Sequence, residues 1–336
     1  MQKLKDAIQA MQRQKVLVLG DMVADIYLQG LISRISREAP VLVLEQAEER
    51  IVAGGAANVV NNLATLGGCA YAAGVVGNDT AADGLRTILQ GNGAVAEGLL
   101  TDASRPTIAK TRIIAGGRAT VSQQIVRIDK ESKEALSSEL EAELWQYIEA
   151  VLPELGGVVL SDYGGITVSP LLRERLLRIC RERGVITIVD SRYAVNDFVG
   201  VDYVKQNDAE IAAAAGRELN SEDDITEAGF ELLKRLNAKG VLVTRGEKGM
   251  MLFEKNGAVH NIPVTDKSEV FDVSGAGDTC VAAVILALAG GVSPAVAAEL
   301  SNIAAGIAVR KQGTATVSAA ELSQVVQKYE EGNISC

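Results

Sequence analysis

Short β-branched runs alternate with amphipathic helical stretches along most of this chain, and no other sequence feature limits the fold as strongly. The β-branched runs lie at 16–19, 70–76, 157–160, 185–189, 203–204 and 241–243. Between them, apolar side chains recur at helical spacing at 56–66, 81–90, 139–151, 170–183 and 226–237. Strands that alternate with helices form a parallel sheet covered by helices on both faces. The sequence therefore predicts an α/β fold with a doubly wound, mostly parallel sheet.

Two segments break this alternation, at about 28–52 and 107–129, where strand-like patterns recur without helices between them. They predict a small antiparallel sheet. Since each segment interrupts the order of the main strands, we expect the two to pair as a lid over the carboxyl ends of those strands, where ligands bind in such folds. An exposed face of this lid would favour a homodimer. No repeat or linker divides the chain, so residues 1–336 are interpreted as one domain.

The charge and composition of the chain limit its partners. A net charge of -10 without a sustained Lys/Arg block disfavours nucleic acid and anionic membranes. The N-terminal segment lacks an apolar signal core, no apolar stretch reaches bilayer length, and the four cysteines show no paired motif, so we expect a cytoplasmic protein. The single histidine, His260, disfavours imidazole metal sites and predicts a surface or strand-edge position.

The stretch 271–279, which precedes an apolar helical run, carries the clearest chemical signal. Two glycines permit a tight turn in which several N–H groups point at one anion, and the helix dipole favours negative charge there. These N–H groups would belong to Gly275, Ala276 and Gly277. Asp278, placed beside an anion site, is suited to accept a proton from an attacking hydroxyl. The stretch thus predicts phosphoryl transfer, with an N-cap aspartate as the alternative explanation.

Polar residues also follow the first strand and open the first helix after it. Gly54, Gly55 and Asn58 belong to a second glycine turn at a helix N-terminus, which is explained equally well by close packing at the start of that helix. Asp21 and Asp25 follow the first strand, where short acids can accept hydrogen bonds from sugar hydroxyls. An Asx-turn is the alternative at that position.

Two further motifs follow later strands. Asn207 and Glu210 are three positions apart and could hold Mg²⁺ through waters, although a capping box has the same spacing. The turn that contains Thr244, Gly246 and Gly249 could accept a nucleotide phosphate or ribose, although a hairpin turn would look the same.

Basic residues lie in the two lid segments. Lys110 and Arg112 alternate along a strand and therefore share a face. Together with Arg127 and Arg34 they would form a cationic pocket for a phosphorylated substrate in an otherwise acidic protein. Solvated charges that protect an edge strand from aggregation are the alternative explanation.

The order and spacing of three motifs resemble the ribokinase/PfkB family of carbohydrate kinases over nearly the whole chain. The motifs lie at 54–58, 207–210 and 272–279. The resemblance implies a ribokinase-like fold and an ATP-dependent kinase, in which Asp278 is the general base and the turn from Gly275 to Gly277 forms an anion hole. Because a binding module has no need for a base there, these residues argue against a non-catalytic sugar-binding relative.

The resemblance also implies where ligands bind. Asn207 and Glu210 would serve Mg²⁺ and phosphate, and a monovalent cation such as K⁺ would lie at Asp272 and Ser274. The nucleotide would lie near Thr244, Gly246, Gly249 and Asn302. The sugar would be held by Asp21, Gly54, Gly55 and Asn58.

Within the family, several segments are similar to the branch of D-glycero-β-D-manno-heptose 7-phosphate kinases, namely 33–40, 48–50, 161–163 and 311–318. The likeness implies phosphorylation of the anomeric hydroxyl, giving the 1,7-bisphosphate on the way to ADP-heptose for lipopolysaccharide. The basic lid residues would then bind the distal phosphate. This branch is often fused to a nucleotidyltransferase with an H-x-G-H motif. With His260 as the only histidine, we expect a separate protein to supply that activity.

The chain departs from this branch at three places. Asp190-Ser191-Arg192 stands where the branch usually has Asp-Pro-Lys, and Ile26 and Arg37 replace an arginine and a proline. These differences leave the kinase prediction intact and keep other acceptors open. The alternative acceptors are ribose, fructose and fructose 6-phosphate.

Overall fold

The structure is a computed structural model that describes residues 2–116, 122–265 and 270–331. Along these ranges the strands are β1 (Lys15–Gly20), β2 (Met22–Ile35), β3 (Leu42–Gly55), β4 (Cys69–Val76), β5 (Val95–Thr101), β6 (Ile108–Gly116), β7 (Gln123–Lys130), β8 (Gly157–Asp162), β9 (Ile186–Ser191), β10 (Tyr203–Asn207), β11 (Gly240–Thr244), β12 (Met250–Glu254) and β13 (Val259–Ile262). The helices are α1 (Gln2–Met11), α2 (Ala56–Thr65), α3 (Thr80–Gly91), α4 (Ser138–Val151), α5 (Pro170–Arg183), α6 (Asp208–Ala215), α7 (Glu222–Leu236), α8 (Ala276–Ala289), α9 (Pro294–Ala308) and α10 (Ala319–Glu330).

The larger sheet has the strand order β13-β12-β11-β10-β9-β8-β1-β4-β5. All neighbours from β5 to β11 are parallel, and the hairpin strands β12 and β13 add antiparallel pairs at one edge. Every strand and helix predicted from the alternating pattern matches one of these elements to within one residue at the predicted ends that extend beyond it, which confirms the α/β fold. His260 lies on the edge strand β13, as predicted. The carboxyl ends of the parallel strands meet at one edge of the sheet, where polar residues gather.

The smaller sheet has the order β3-β2-β6-β7, and its four strands overlap both predicted lid segments. The β2–β3 and β6–β7 pairs are antiparallel, but β2 and β6 pair in parallel. The prediction of an antiparallel sheet was wrong for this central pair. The residue pattern of a strand does not show whether it pairs in parallel or antiparallel. The long connection between β3 and β6, which includes β4 and β5, allows β6 to run in the same direction as β2. Of the second predicted segment, residues 117–121 lie outside the described residues.

Apolar clusters cover both faces of the larger sheet. One includes side chains of α2, α8 and α9, and the other includes side chains of α4, α5 and α7. Helix α8 is buried from Asp278 to Leu288, as expected for a helix that is apolar on all sides. Its first turn is thereby fixed at the carboxyl ends of the strands. Within the described ranges, every helix is too short or too polar to cross a bilayer.

Candidate active site

Asp278 lies in the first turn of α8 and is 4% exposed. Gly275, at φ +80, is the N-cap of the helix and makes no side-chain cap, so the alternative that Asp278 is an N-cap residue does not apply. The Asn58 amide donates to Oδ2 of Asp278 and the Tyr163 hydroxyl donates to Oδ1, both at 2.7 Å. Burial raises the pKa of Asp278 to about 6, against these two hydrogen bonds, which lower it. A buried carboxylate with such a pKa is suited to general-base catalysis near neutral pH.

Asn58 is held in place by a second asparagine. The Asn62 amide donates to the carbonyl and side-chain oxygens of Asn58 at 3.0 and 3.1 Å. The Thr279 hydroxyl donates to Oδ1 of Asn62 at 3.0 Å, which ties α2 to α8. Asn58 has no exposed surface, so the structure places it against Asp278 rather than in an open position for a sugar. The preceding Gly54 and Gly55 end β3 and pair with Val23 and Met22 of β2.

The glycine turn before Asp278 lies above a buried lysine that the sequence analysis did not single out. A side chain at Gly277 would come within 2.8 Å of Lys205 Nζ. Lys205 is 5% exposed and pairs with Asp190 at 3.0 Å. Burial alone would lower the pKa of Lys205, but Asp190 and then Glu210 raise it above its ordinary value, so Lys205 stays charged. A lysine in an otherwise buried strand was the available signal, since such residues are rarely buried without a partner.

Not every predicted donor of the anion hole is free in this structure. The Ala276 N–H donates to the Val273 carbonyl at 3.3 Å, a long contact that a bound anion would have to replace. Gly277 follows it in the first turn of α8, where backbone N–H groups point out of the helix end. The turn thus places backbone N–H groups and the Lys205 ammonium group beside Asp278.

The two aspartates after β1 have different partners. Asp21 is buried, and its Oδ2 accepts N–H groups of Tyr163 and Gly165, both at 2.9 Å. Burial raises the pKa of Asp21 above its ordinary value. Its carboxylate therefore anchors the loop that carries Tyr163. Asp25 forms an ion pair with Arg112 of β6.

The basic residues of the lid segments are not gathered into one pocket. Lys110 Nζ lies 5.4 Å from the ring centroid of Tyr163, so it faces the site. Arg127 is exposed and pairs with Asp129. Arg34 is exposed and lies nine positions beyond Asp25 on β2, about 30 Å away at about 3.3 Å per residue. Within one copy of the chain, the length of β2, 14 residues, therefore separates Arg34 from Lys110 and Arg112.

One basic residue next to the site was missed by the sequence analysis. Arg50 of β3 lies 5.5 Å from the ring centroid of Tyr27, and Arg112 lies 5.4 Å from the same ring. Because Tyr27 pairs with both residues, all three side chains are on one face of the small sheet. A side chain at Gly313 would come within 3.6 Å of Arg50, so this face also meets the loop before α10.

The residues predicted for the nucleotide line one cleft of about 600 Å³. Thr244, Gly246, Gly249 and Asn302 share it with Ala276 and Gly277, so the cleft reaches the glycine turn beside the base. The turn from Thr244 to Gly249 also connects the antiparallel strands β11 and β12. It is therefore the hairpin turn that was the alternative explanation for this motif. The Asn302 amide donates to the Pro263 carbonyl at 2.6 Å.

Asn207 and Glu210 form the capping box that was the alternative explanation for their spacing. Each side chain accepts a hydrogen bond of 2.8 Å from the backbone N–H of the other at the start of α6. No group of three or more His, Cys, Asp or Glu residues is arranged to hold a metal in the described part of the chain. Glu210 offers a single carboxylate, and Mg²⁺ beside phosphates is commonly held by one or two carboxylates while it keeps several waters.

Asp272 and Ser274 precede the glycine turn and are joined to each other. Oδ1 of Asp272 accepts the Ser274 N–H at 2.9 Å, and Oδ2 accepts the Gly313 N–H at 3.0 Å. Burial opposes ionisation, but these hydrogen bonds outweigh it and lower the pKa of Asp272. Within the described residues, the buried Thr314 hydroxyl next to Gly275 has no hydrogen-bond partner. An unsatisfied oxygen near an ionised carboxylate fits a monovalent cation.

Comparisons with known proteins identify the family and the fold of the chain. A sequence model of the pfkB family of carbohydrate kinases matches residues 13–321. The protein named "Bifunctional protein HldE" from Desulfatibacillum aliphaticivorans is 40% identical over 93% of this chain, and the match covers 63% of that relative. The protein of the same name from Geobacter sulfurreducens is 40% identical over 91% of this chain and 61% of its own length. The chain thus spans about three fifths of the curated relatives it matches.

Two solved structures share the fold. Ribokinase from Arabidopsis thaliana, complexed with ribose and ATP, superposes with a TM-score of 0.73 at 20% identity, covering 94% of this chain and 99% of that chain. Phosphofructokinase-2 from Escherichia coli, in complex with potassium, gives a TM-score of 0.73 at 22% identity, covering 95% of this chain and 99% of that chain.

Proposed function

The chain belongs to the pfkB family of carbohydrate kinases, and on that premise we propose that it transfers the γ-phosphoryl group of ATP to the anomeric hydroxyl of D-glycero-β-D-manno-heptose 7-phosphate. The observation that carries the proposal is the buried Asp278 beside a glycine turn that opens into a cleft of about 600 Å³. A base, an anion site and a cleft for the donor meet there. The product is the 1,7-bisphosphate, as in the branch that residues 33–40 and 161–163 resemble.

The transfer follows from the positions of these groups. Asp278 takes the proton of the acceptor hydroxyl while that oxygen forms a bond to the γ-phosphorus. The bond from the γ-phosphorus to the bridging oxygen breaks, and its electron pair leaves with ADP. Lys205 and the N–H groups of the glycine turn stabilise the charge on the transferring group, since fixed donors in a buried site act without reorganisation.

Two cations fit the residues around this site. Glu210 would hold Mg²⁺ through waters, with Asn207 beside it, and Mg²⁺ supplies charge neutralisation to the donor phosphates. A monovalent cation such as K⁺ would lie at Asp272 and Ser274, where Thr314 offers an unsatisfied oxygen.

Recognition of the acceptor is assigned to the inner face of the small sheet. Lys110, Arg112 and Arg50 lie on this face, and Lys110 approaches Tyr163 beside the base. An acceptor whose reacting hydroxyl meets Asp278 would bring a distal phosphate toward these charges. The sequence likeness to heptose 7-phosphate kinases and the HldE name of the relatives support this choice of acceptor. The sheet would close over the bound sugar as a lid.

The outer face of the small sheet supports a homodimer. Val126 and Ile128 of β7 are 45% and 54% exposed, and they share a face with Ile113 and Thr111 of β6. Contiguous exposed apolar side chains mark association sites.

We further propose that residues 1–336 act as one domain and that the protein works in the cytoplasm, where ATP is available. A nucleotidyltransferase activity would use the product.

The test is ADP release from MgATP with a panel of acceptors: heptose 7-phosphate, fructose 6-phosphate, ribose and fructose. We expect turnover with heptose 7-phosphate alone. Asp278→Asn should lower it about 10³-fold, since it removes the base. Asp83→Asn, the same change at an exposed position of α3, should leave turnover unchanged.

Preference for another member of the panel would contradict the heptose assignment and keep the kinase. Equal turnover in Asp278→Asn and the unmodified protein would contradict the assigned base. No ADP release with any acceptor would contradict the proposed activity on this panel.

A further inference from the structure

The Tyr163 hydroxyl is bound to one of the two carboxylate oxygens of the proposed base. Its phenol hydroxyl donates to Oδ1 of Asp278 at 2.7 Å, while Asn58 donates to Oδ2 at the same distance. An acceptor must bring its own hydroxyl within about 2.6 to 3.2 Å of the base to be deprotonated. Because Asp278 is 4% exposed, little of its surface is left for a third donor.

We propose that the Tyr163 hydroxyl is a placeholder, which holds the acceptor's position at Asp278 in the sugar-free protein and leaves it when the sugar binds. This inference rests on the proposed kinase function, because it assigns the displaced hydrogen bond to the acceptor hydroxyl. It makes Tyr163 a positioning residue that acts through the base.

Of the two donors to Asp278, Tyr163 is the one that can leave. Asn58 lies in α2 without exposed surface and is held by two hydrogen bonds from Asn62. Tyr163 lies in the loop after β8 and is only partly buried. The Asp21 carboxylate fixes that loop through backbone N–H groups, including that of Tyr163 itself. The backbone of Tyr163 is thus anchored, so its hydroxyl would leave Asp278 through rotation of the side chain about χ1 and χ2.

The small sheet contacts the placeholder directly. Lys110 Nζ lies 5.4 Å from the centroid of the Tyr163 ring, within the range of a cation–π contact. A phosphate on the acceptor competes with the ring for this ammonium group, since a charged hydrogen bond is stronger than a cation–π contact at a partly exposed site. Binding of the distal phosphate and release of Tyr163 from the base are thereby coupled through one side chain.

The charged groups around this contact stay in place when only the phenol oxygen is removed. Asp190 of β9 and Lys205 of β10 face Asp278, and Lys110 of β6 and Glu210 of α6 act on Tyr163. In Tyr163→Phe the ring and all four charges remain. The hydrogen bond from Tyr163 favours the ionised carboxylate, so its loss raises the pKa of Asp278 above about 6.

The test compares Tyr163→Phe with the unmodified protein, and uses Tyr193→Phe as the control because the Tyr193 side chain is exposed beside the same loop. A ¹³C-carboxyl NMR titration of the sugar-free protein, with the Asp278 signal assigned by its loss in Asp278→Asn, should show a midpoint about one pH unit higher in Tyr163→Phe. The control should not shift.

Kinetics then show whether Tyr163 leaves. On the acidic side, the pH profile of kcat/KM reports the pKa of the base in the free protein. The pH profile of kcat reports the pKa of the base in the complex with the acceptor. We expect the limb of kcat/KM to move up by about one pH unit in Tyr163→Phe, while the limb of kcat stays within about 0.2 of the unmodified protein.

Two results would overturn the placeholder. Equal shifts of both limbs would mean that Tyr163 stays on Asp278 in the complex, and an unshifted NMR titration would mean that the contact does not tune the base. The titration needs no turnover. A shifted titration with no phosphorylation of any sugar would therefore count against the proposed function and against displacement by an acceptor, while leaving the contact itself intact.

Discussion

The two sides of the candidate site are built in opposite ways. On the side of the large sheet, Asp278, Asn58 and Lys205 are at most 5% exposed, and each has a polar partner within the protein. On the side of the small sheet, Lys110 and Arg112 are half-buried and Arg127 is exposed. Groups already desolvated and fixed on folding are suited to stabilising a transition state, whereas half-exposed groups on a strand can adapt to a ligand. In the proposed function, chemistry and recognition would thus be separated between the two sheets.

The largest effect should come from the buried side. Lys205→Met leaves Asp190 buried without its partner and removes the charge under the glycine turn. We expect the free energy of unfolding to fall by about 3 to 5 kcal/mol, and turnover to fall by about 10² to 10³-fold. Denaturant unfolding and ADP release measure the two losses separately.

The double variant Lys205→Met/Asp190→Leu separates folding from chemistry. Replacing both partners of a buried pair with apolar groups is often neutral for stability. We therefore expect the double variant to regain most of the lost free energy of unfolding but none of the turnover. Recovery of both would show that Lys205 acts only through stability.

A smaller effect is expected on the side of the small sheet. Lys110→Met removes a charge that faces the acceptor, so the KM for a phosphorylated acceptor should rise about tenfold, the value of one charge-assisted hydrogen bond. Its kcat should change less than about threefold, because the base is untouched. Initial rates over a range of acceptor concentrations give both constants.

Arg34→Met is the matched control for Lys110→Met. It removes the same charge from the same small sheet, about 30 Å along β2 from Asp25, and should leave KM unchanged. A kcat loss in Lys110→Met without a KM change would argue that Lys110 belongs to the chemical side of the site.

The smallest effect on turnover is expected on the outer face of the small sheet. Ile128→Glu places a charge in the exposed apolar face proposed to pair with a second copy. Sedimentation velocity should show a monomer in place of a dimer, while turnover stays within about twofold because the inner face is unchanged. Gln90→Glu, an added charge on exposed α3, should remain a dimer. A monomeric unmodified protein would rule out this interface.

The large sheet was predictable because its evidence is local. Runs such as 241–243 are apolar over their whole length, which is typical of strands buried on both faces. Asp278 was also predictable, because a glycine turn and the helix that follows it are neighbours in sequence. Strand β5 was not predicted, since Val95–Thr101 contains a glycine and a glutamate among its apolar residues.

The contacts that tune the base could not be read from the sequence. Tyr163 and Asp278 are separated by 115 positions, and Asn58 and Asp278 by 220. No periodicity connects residues so far apart. Asn58 was therefore predicted as a sugar ligand, and Tyr163, Lys205 and Arg50 were not predicted as part of the site. The parallel pairing of β2 with β6 was also missed. The relative direction of two strands is set by the chain that connects them, and the residue pattern of a strand does not reveal it.

The hairpin of β2 and β3 begins directly after β1 of the large sheet and ends directly before α2. The Ala56 N–H donates to the Asp21 carbonyl at 3.0 Å, so the chain before β2 and the chain after β3 are joined by one backbone hydrogen bond. An excursion whose ends already meet adds little closure entropy when its length or sequence changes. The hairpin is therefore suited to replacement as a unit in protein engineering. Hairpins from relatives with other acceptors can be grafted between Asp21 and Ala56, provided that buried residues at the base of the hairpin, such as Met22, Ala24 and Ala53, are kept.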